Sequence, residues 1–175
     1  MGQLILILGG GRSGKSAFAE ELAKGHKRVA YIATAVVADG EMRRRVALHR
    51  KRRPKNWGTV EASVRLDAAI RKVSRTATMI LVDCVTLYLA NSLLGSPKKD
   101  RRHEAILKDI ERICEAAKSA ATTVVMVSNE VGMGIVPDTP LGRDFRDLQG
   151  RANQIIAKAA DDVYFVVAGI PQKIK

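Results

Sequence analysis

Apolar and polar positions along this chain fall into blocks whose period changes back and forth. Leu4-Ile5-Leu6-Ile7-Leu8 is an unbroken apolar run of strand length. Val29-Ala30-Tyr31-Ile32-Ala33, ending at Thr34, is a second, and Thr78-Met79-Ile80-Leu81-Val82-Asp83 a third. Thr122-Thr123-Val124-Val125-Met126-Val127 and Val163-Tyr164-Phe165-Val166-Val167 complete the series. Between them lie stretches of helix-forming composition: 17–23 closed by Gly25, 41 to about 52, about 103–120, and 141–160. Strands that are apolar on both faces and alternate with helices predict an α/β fold. Its sheet is mostly parallel, with helices on both faces. Ligands of such sheets collect at the carboxyl ends of the strands.

The first strand leads into Gly9-Gly10-Gly11-Arg12-Ser13-Gly14-Lys15-Ser16, which fits G-x-x-x-x-G-K-[ST] at every fixed position. Strand, glycine-rich loop and helix are the context that this motif requires. Glycines let successive backbone N–H groups turn inward around a phosphate chain, and the following helix dipole adds to that field. Lys15 is expected to reach the β- and γ-phosphates and Ser16 to hold a Mg²⁺. The competing reading, a plain Gly-rich βα turn, leaves the flanks unexplained. The expected fold is therefore a P-loop NTPase of RecA-like type.

Composition narrows the setting. A chain of 175 residues, 46% hydrophobic and 27% charged, is expected to form one soluble domain over residues 1–175. No apolar run approaches a membrane span, and no signal peptide is expected before the phosphate loop. Cys84 and Cys114 lie far apart within apolar patterns and are expected to be reduced core residues, which fits the cytoplasm. The net charge of +12 favours anionic partners. Aromatic residues make up only 4%, which argues against a nucleic-acid surface built on stacking.

Further chemistry gathers at a few places. Asp83 ends an apolar strand, where a carboxylate can hold Mg²⁺ or cap the next helix. Residues 43–53 carry a dense run of cations in which Met42, Arg45, Val46, His49 and Arg53 share one helical face. Three readings of His49 stand open: an incidental residue of a solvated basic helix, part of a nucleic-acid patch, or a neutral imidazole that attacks phosphorus. His26 and His103 look like surface residues. The run Asn129-Glu130-Val131-Gly132-Met133-Gly134-Ile135-Val136-Pro137-Asp138 either lines the cleft or forms a buried turn. Arg143, Arg146 and Arg151 either reach a phosphate or pair with Asp144 and Asp147.

Taken together, these motifs resemble the bifunctional adenosylcobinamide kinase / adenosylcobinamide-phosphate guanylyltransferase family. The likeness runs through the phosphate loop, Tyr31-Ile32-Ala33-Thr34, Glu41-Met42, His49, Arg53-Pro54, Trp57, Thr59, Glu61 and Asp83-Cys84-Val85-Thr86. It continues through Ser128-Asn129-Glu130-Val131-Gly132-Met133-Gly134-Ile135-Val136-Pro137, Phe145-Arg146-Asp147, Gly150-Arg151, Asn153-Gln154 and Gly169-Ile170.

The resemblance implies two reactions. The γ-phosphoryl of ATP or GTP passes to a hydroxyl of adenosylcobinamide, and GMP from GTP then passes through a guanylylated histidine to the new phosphate, giving adenosylcobinamide-GDP. By position, His49 matches that histidine. Lys15 and Ser16 match the phosphate and metal contacts, and Glu61 and Asp83 the acidic residues at the nucleotide. Arg50, Lys51, Arg52 and Arg53 match the basic flank, and Thr34, Ala35 and Val36 join the expected nucleotide contacts. The implied partners are a corrinoid, ATP, GTP and Mg²⁺, in a homotrimer. Two other readings remain: a monofunctional small-molecule kinase with a structural His49, and a nucleotide-gated nucleic-acid binder.

Overall fold

The structure, a computed structural model, describes residues 2–36, 40, 43, 44, 46, 47, 53–95 and 102–175. In chain order its elements are β1 (Leu4–Gly9), α1 (Lys15–Ala23), β2 (Val29–Ala33), β3 (Gly58–Glu61), α2 (Leu66–Val73) and β4 (Met79–Asp83). Then come α3 (Val85–Gly95), α4 (Arg102–Ser119), β5 (Thr123–Asn129), α5 (Pro140–Ala159), β6 (Asp162–Val167) and β7 (Ile170–Lys173).

One seven-stranded sheet runs in the order β3-β2-β4-β5-β1-β6-β7. Every pairing is parallel except β6 with β7. β5 lies between the strand that leads into the phosphate loop and the strand that ends in Asp83. This is the mostly parallel P-loop architecture that the alternating pattern predicts.

The period-2 geometry of each strand sorts its side chains onto two faces. Leu4, Leu6 and Leu8, with Ile32, Ile80, Val82, Val124 and Met126, pack under residues of α2, α3, α4 and α5. Ile5 and Ile7, with Tyr31, Leu81, Val125 and Val127, pack under Ala19 and Ala23 of α1 and against Trp57. The larger layer explains why α4 and α5 are long: each buries an apolar stripe, Ile106, Ile110 and Ile113 on one and Leu148, Ala152 and Ile156 on the other. Thr139 caps α5, its hydroxyl accepting from the Gly142 N–H at 3.1 Å, with Pro140 in the first turn.

Four elements go beyond the sequence expectation. β3 and β7 have four residues each and lie at the two edges of the sheet, where pairing on one side alone leaves no apolar run to detect. Pro171 in β7 suits an edge. α2 buries Leu66, Ile70 and Val73 at helical spacing within a polar stretch. α3 is apolar nearly all round. The helix expected from 41 to about 52 falls largely outside the described residues. Among the described residues, no helix is long and apolar enough to cross a membrane.

The packing yields a stability expectation. Leu89, at 0% exposure in α3, sits in the larger layer. Leu89→Ala should cost about 2–5 kcal/mol, read as a lower urea midpoint with an unchanged slope. A loss under about 1 kcal/mol would show that this layer collapses around the cavity.

Candidate functional site

Parallel register sets the ends of the strands side by side. Gly9 pairs with Asn129, Asp83 with Val127 and with Ala33, and Ala33 with Glu61. The carboxyl edge of the sheet thus collects glycine backbone, an amide and two carboxylates along one line. A cleft of about 860 Å³ opens there.

The phosphate loop forms one wall. The Ser13 N–H donates to Gly10 O and the Phe18 N–H to Gly14 O, which starts α1. Arg12 and Gly14 both take positive φ. At Gly14, with φ of 99°, an added Cβ would lie 3.0 Å from Gly169 Cα, so glycine is required there by conformation and by space. The turn joining β6 and β7 braces the loop from behind, the Gly169 N–H donating to Ser13 O at 2.8 Å. The first turn of α1 has no acidic residue and no side-chain cap, which leaves its amides to an incoming anion. The Ser13 hydroxyl is buried without a partner among the described residues.

Gly11, Arg12, Lys15 and Ser16 line the cleft, while Gly9, Gly10, Ser13 and Gly14 shape the turn behind them. Lys15 is buried, its ammonium donating to Gly10 O at 2.7 Å. Burial outweighs the attraction of nearby acidic groups and draws its pKa below the ordinary lysine value.

Opposite stand Asp83 and Glu61, with Ala35, Val36 and Arg53. The Tyr31 hydroxyl donates to Asp83 Oδ2 at 2.8 Å. Arg53 stacks on the Tyr31 ring, its guanidinium carbon 3.3 Å from the ring centroid, and its buried Nε and NH1 groups have no acceptor among the described residues. Burial first, then the Asp83 charge, raise the Tyr31 phenol far above its usual range. The same two causes push the Cys84 thiol up to about 11, so it stands protonated and is no nucleophile. Burial likewise raises Cys114 to about 12.

Thr34 joins two strand ends. It is fully buried, its hydroxyl donating to Cys84 O at 2.7 Å and accepting from the Cys84 N–H at 2.8 Å. Its side chain clips β2 to the turn after β4 and is spent there, away from the cleft wall. His49, Arg50, Lys51 and Arg52 lie outside the described residues. Val46 lines the cleft from the same basic stretch, whereas Arg43 and Arg44 are exposed.

The run after β5 divides. Asn129 lines the cleft, and Glu130 turns away, its carboxylate accepting from the Gly132 N–H at 3.0 Å. Met133, Ile135 and Val136 are exposed. A buried network fixes the start of this run. The Ser128 hydroxyl donates to Asn153 Oδ1 at 2.7 Å, Gln149 Nε2 donates to both, and Asn153 Nδ2 donates to Asn129 O at 3.0 Å. From the other side, Thr86 Oγ1 accepts from the Asn129 N–H at 2.8 Å. Arg143 donates to the carbonyls of Pro137 and Asp138, and Arg146 pairs with Asp147. His103 is half-buried, 2.9 Å from Asp144. The sequence assigns no cleft role to Tyr31, whose position as a polar group near a strand end is the signal that marks it; of the run from Asn129, expected to line the cleft or form a buried turn, Asn129 itself lines the cleft.

Comparison with known proteins agrees in scale. A family model described as cobinamide kinase / cobinamide phosphate guanyltransferase matches residues 5–174. The bifunctional adenosylcobalamin biosynthesis protein CobP of Pseudomonas aeruginosa is 44% identical, over 97% of this chain and 96% of its own. The bifunctional adenosylcobalamin biosynthesis proteins CobU of Escherichia coli and of Salmonella typhimurium are each 42% identical, over 98% of this chain and 99% of theirs.

Lys15 supplies the test of this wall. Because folding lowers its pKa, the unfolded chain binds the proton more tightly. Stability from this group therefore rises with pH, from the folded pKa up to the unfolded value near about 10.4. Lys15→Met should thus be at least as stable as the wild type at pH 7 in urea, with the gap closing as the pH climbs. The same variant should lose about 100-fold or more in nucleotide turnover. A variant less stable at pH 7 would show that the ammonium is held well in the empty cleft.

Proposed function

This chain belongs to the cobinamide kinase / cobinamide phosphate guanyltransferase family, and from that premise we propose how its residues divide the two reactions. The protein is an enzyme of cobalamin biosynthesis that carries both activities, using ATP or GTP as substrate. In the kinase reaction the phosphate loop holds the β- and γ-phosphates against the amides that open α1. Lys15 offsets the charge that develops on the transferring group. The acceptor hydroxyl of adenosylcobinamide forms the new O–P bond at the γ-phosphorus, the β–γ bridge breaks, and the nucleoside diphosphate leaves.

Ser16 and Asp83 place two oxygen donors on the walls of one cleft, beside the phosphate loop. That donor set suits Mg²⁺, which takes few protein ligands and completes its shell from phosphates and water. Bound there, Mg²⁺ would supply charge neutralisation on the phosphate oxygens. Lys15 and the loop amides orient those oxygens for in-line attack.

In the second reaction a His49 ring nitrogen forms a bond to the α-phosphorus of GTP, and the α–β bridge breaks to release pyrophosphate. A phosphate oxygen of the kinase product then attacks the same phosphorus, the N–P bond breaks, and adenosylcobinamide-GDP forms. Arg50, Lys51, Arg52 and Arg53 stabilise the departing pyrophosphate and keep the imidazole neutral. One observation carries this reading: Val46 and Arg53, on either side of His49 in sequence, line the same cleft as the phosphate loop. The apolar strip of Ala35, Val36, Val46 and Leu87 offers a surface for a flat ring.

Exposed Met133, Ile135 and Val136, with Val167 and Ile170 of the C-terminal hairpin, favour burial against other copies, as a homotrimer requires. Two free cysteines fit a cytoplasmic setting.

GTP labelled at the α-phosphate, mixed with enzyme and Mg²⁺ and no acceptor, should leave label on the denatured chain. That label should be lost in acid, survive base and be absent from His49→Ala, whose kinase turnover persists. No retained label alongside intact kinase turnover would leave only the first reaction. Light scattering on the purified chain should give the mass of three copies; a monomeric mass would overturn the assembly.

A further inference from the structure

Tyr31 is a buried strand residue with three connections that a core aromatic does not need. On β2 it pairs with Leu81, so Asp83, two residues on, is its diagonal neighbour on the same face of the sheet. That is why its hydroxyl meets the Asp83 carboxylate at 2.8 Å. The face of its ring carries the Arg53 guanidinium at 3.3 Å. Its side chain also lines the cleft, beside both of those partners.

Phenylalanine would fill the same space, and a buried phenol is tolerated only where its hydroxyl has a partner. Here the partner is a carboxylate at the carboxyl end of the sheet. The guanidinium above the ring has two buried nitrogens, Nε and NH1, with no acceptor among the described residues. A half-buried cation with two shielded nitrogens left open calls for an anion that brings its own oxygens, which a phosphate chain does. Tyr31 thus touches the carboxylate suited to the cation and the cation suited to the phosphates. It is fixed in place by the sheet itself.

We propose that Tyr31 is a positioning residue for the metal–nucleotide complex: its hydroxyl fixes the Asp83 carboxylate and its ring aims the Arg53 guanidinium at the phosphates. The inference rests on the reading of the cleft as the nucleotide site. The two contacts are separable, because Tyr31→Phe removes the hydroxyl and keeps the platform, whereas Tyr31→Leu removes both.

Calorimetric titration with the α,β-methylene form of GTP, which cannot pass GMP to His49, once in EDTA and once in Mg²⁺, reads them apart without turnover. Tyr31→Phe should bind this form in EDTA within about twofold of wild type, and its gain in affinity on adding Mg²⁺ should shrink about tenfold. Tyr31→Leu should in addition lose about tenfold in EDTA. Should Tyr31→Leu fail to fold, Arg53→Gln removes the stacked cation from the other side and should show the same loss in EDTA. A Tyr31→Phe protein with the full wild-type Mg²⁺ gain would overturn the role of the hydroxyl. Wild-type affinity in EDTA for Tyr31→Leu, or for Arg53→Gln in its place, would overturn that of the ring. Absence of binding by the wild type would instead sink the nucleotide reading of the cleft.

Discussion

The site depends on the register of parallel strands. Hydrogen bonding sets Gly9 level with Asn129, Asp83 with Val127, and Ala33 with both Asp83 and Glu61. A slip of one residue would turn each of these side chains to the opposite face. It would also carry Leu4, Leu6 and Leu8 out of the larger hydrophobic layer. The same burial that stabilises the sheet therefore holds the alignment of the phosphate loop with its acidic partner. Chemistry and core share a single geometric requirement.

The sequence made the centre of the sheet readable and left its margins faint. Central strands are buried on both faces, so Leu4–Gly9 and Met79–Asp83 stand out as apolar runs. β3 is mostly exposed and β7 wholly so, and neither carries a periodic signal. α3 is too uniformly apolar to show a period, although its run from Val85 to Leu94 was open to view. The local site motif, from Gly9 to Ser16, was legible because it is contiguous. What joins Arg53 to Tyr31, or Asn153 to Asn129, is long-range packing, which spacing along a chain does not encode. Thr34, a polar residue at a strand end expected at the nucleotide, also ties β2 to the turn after β4, a contact that spacing does not show.

The two sides of the cleft are fixed by different means. The Asn129 side rests on neutral, buried amides and hydroxyls of Ser128, Gln149 and Asn153, a network whose worth depends on every member being present. The Arg53 side is ionic and aromatic, with donors left open. A buried network of amides and a hydroxyl favours rigidity, and open cationic donors favour capture of an anion. The Asn129 side of the cleft and its Arg53 side thus differ in character.

The brace behind the phosphate loop links distant parts of the chain. β1 and its loop precede most of the sheet in chain order, yet β1 is completed by β5 on one side and β6 on the other, and the loop is backed by the turn at Gly169. On the ribosome, then, the phosphate loop emerges well before the strands and the turn that complete its surroundings. Until that turn arrives, the nascent chain holds a complete motif without its brace.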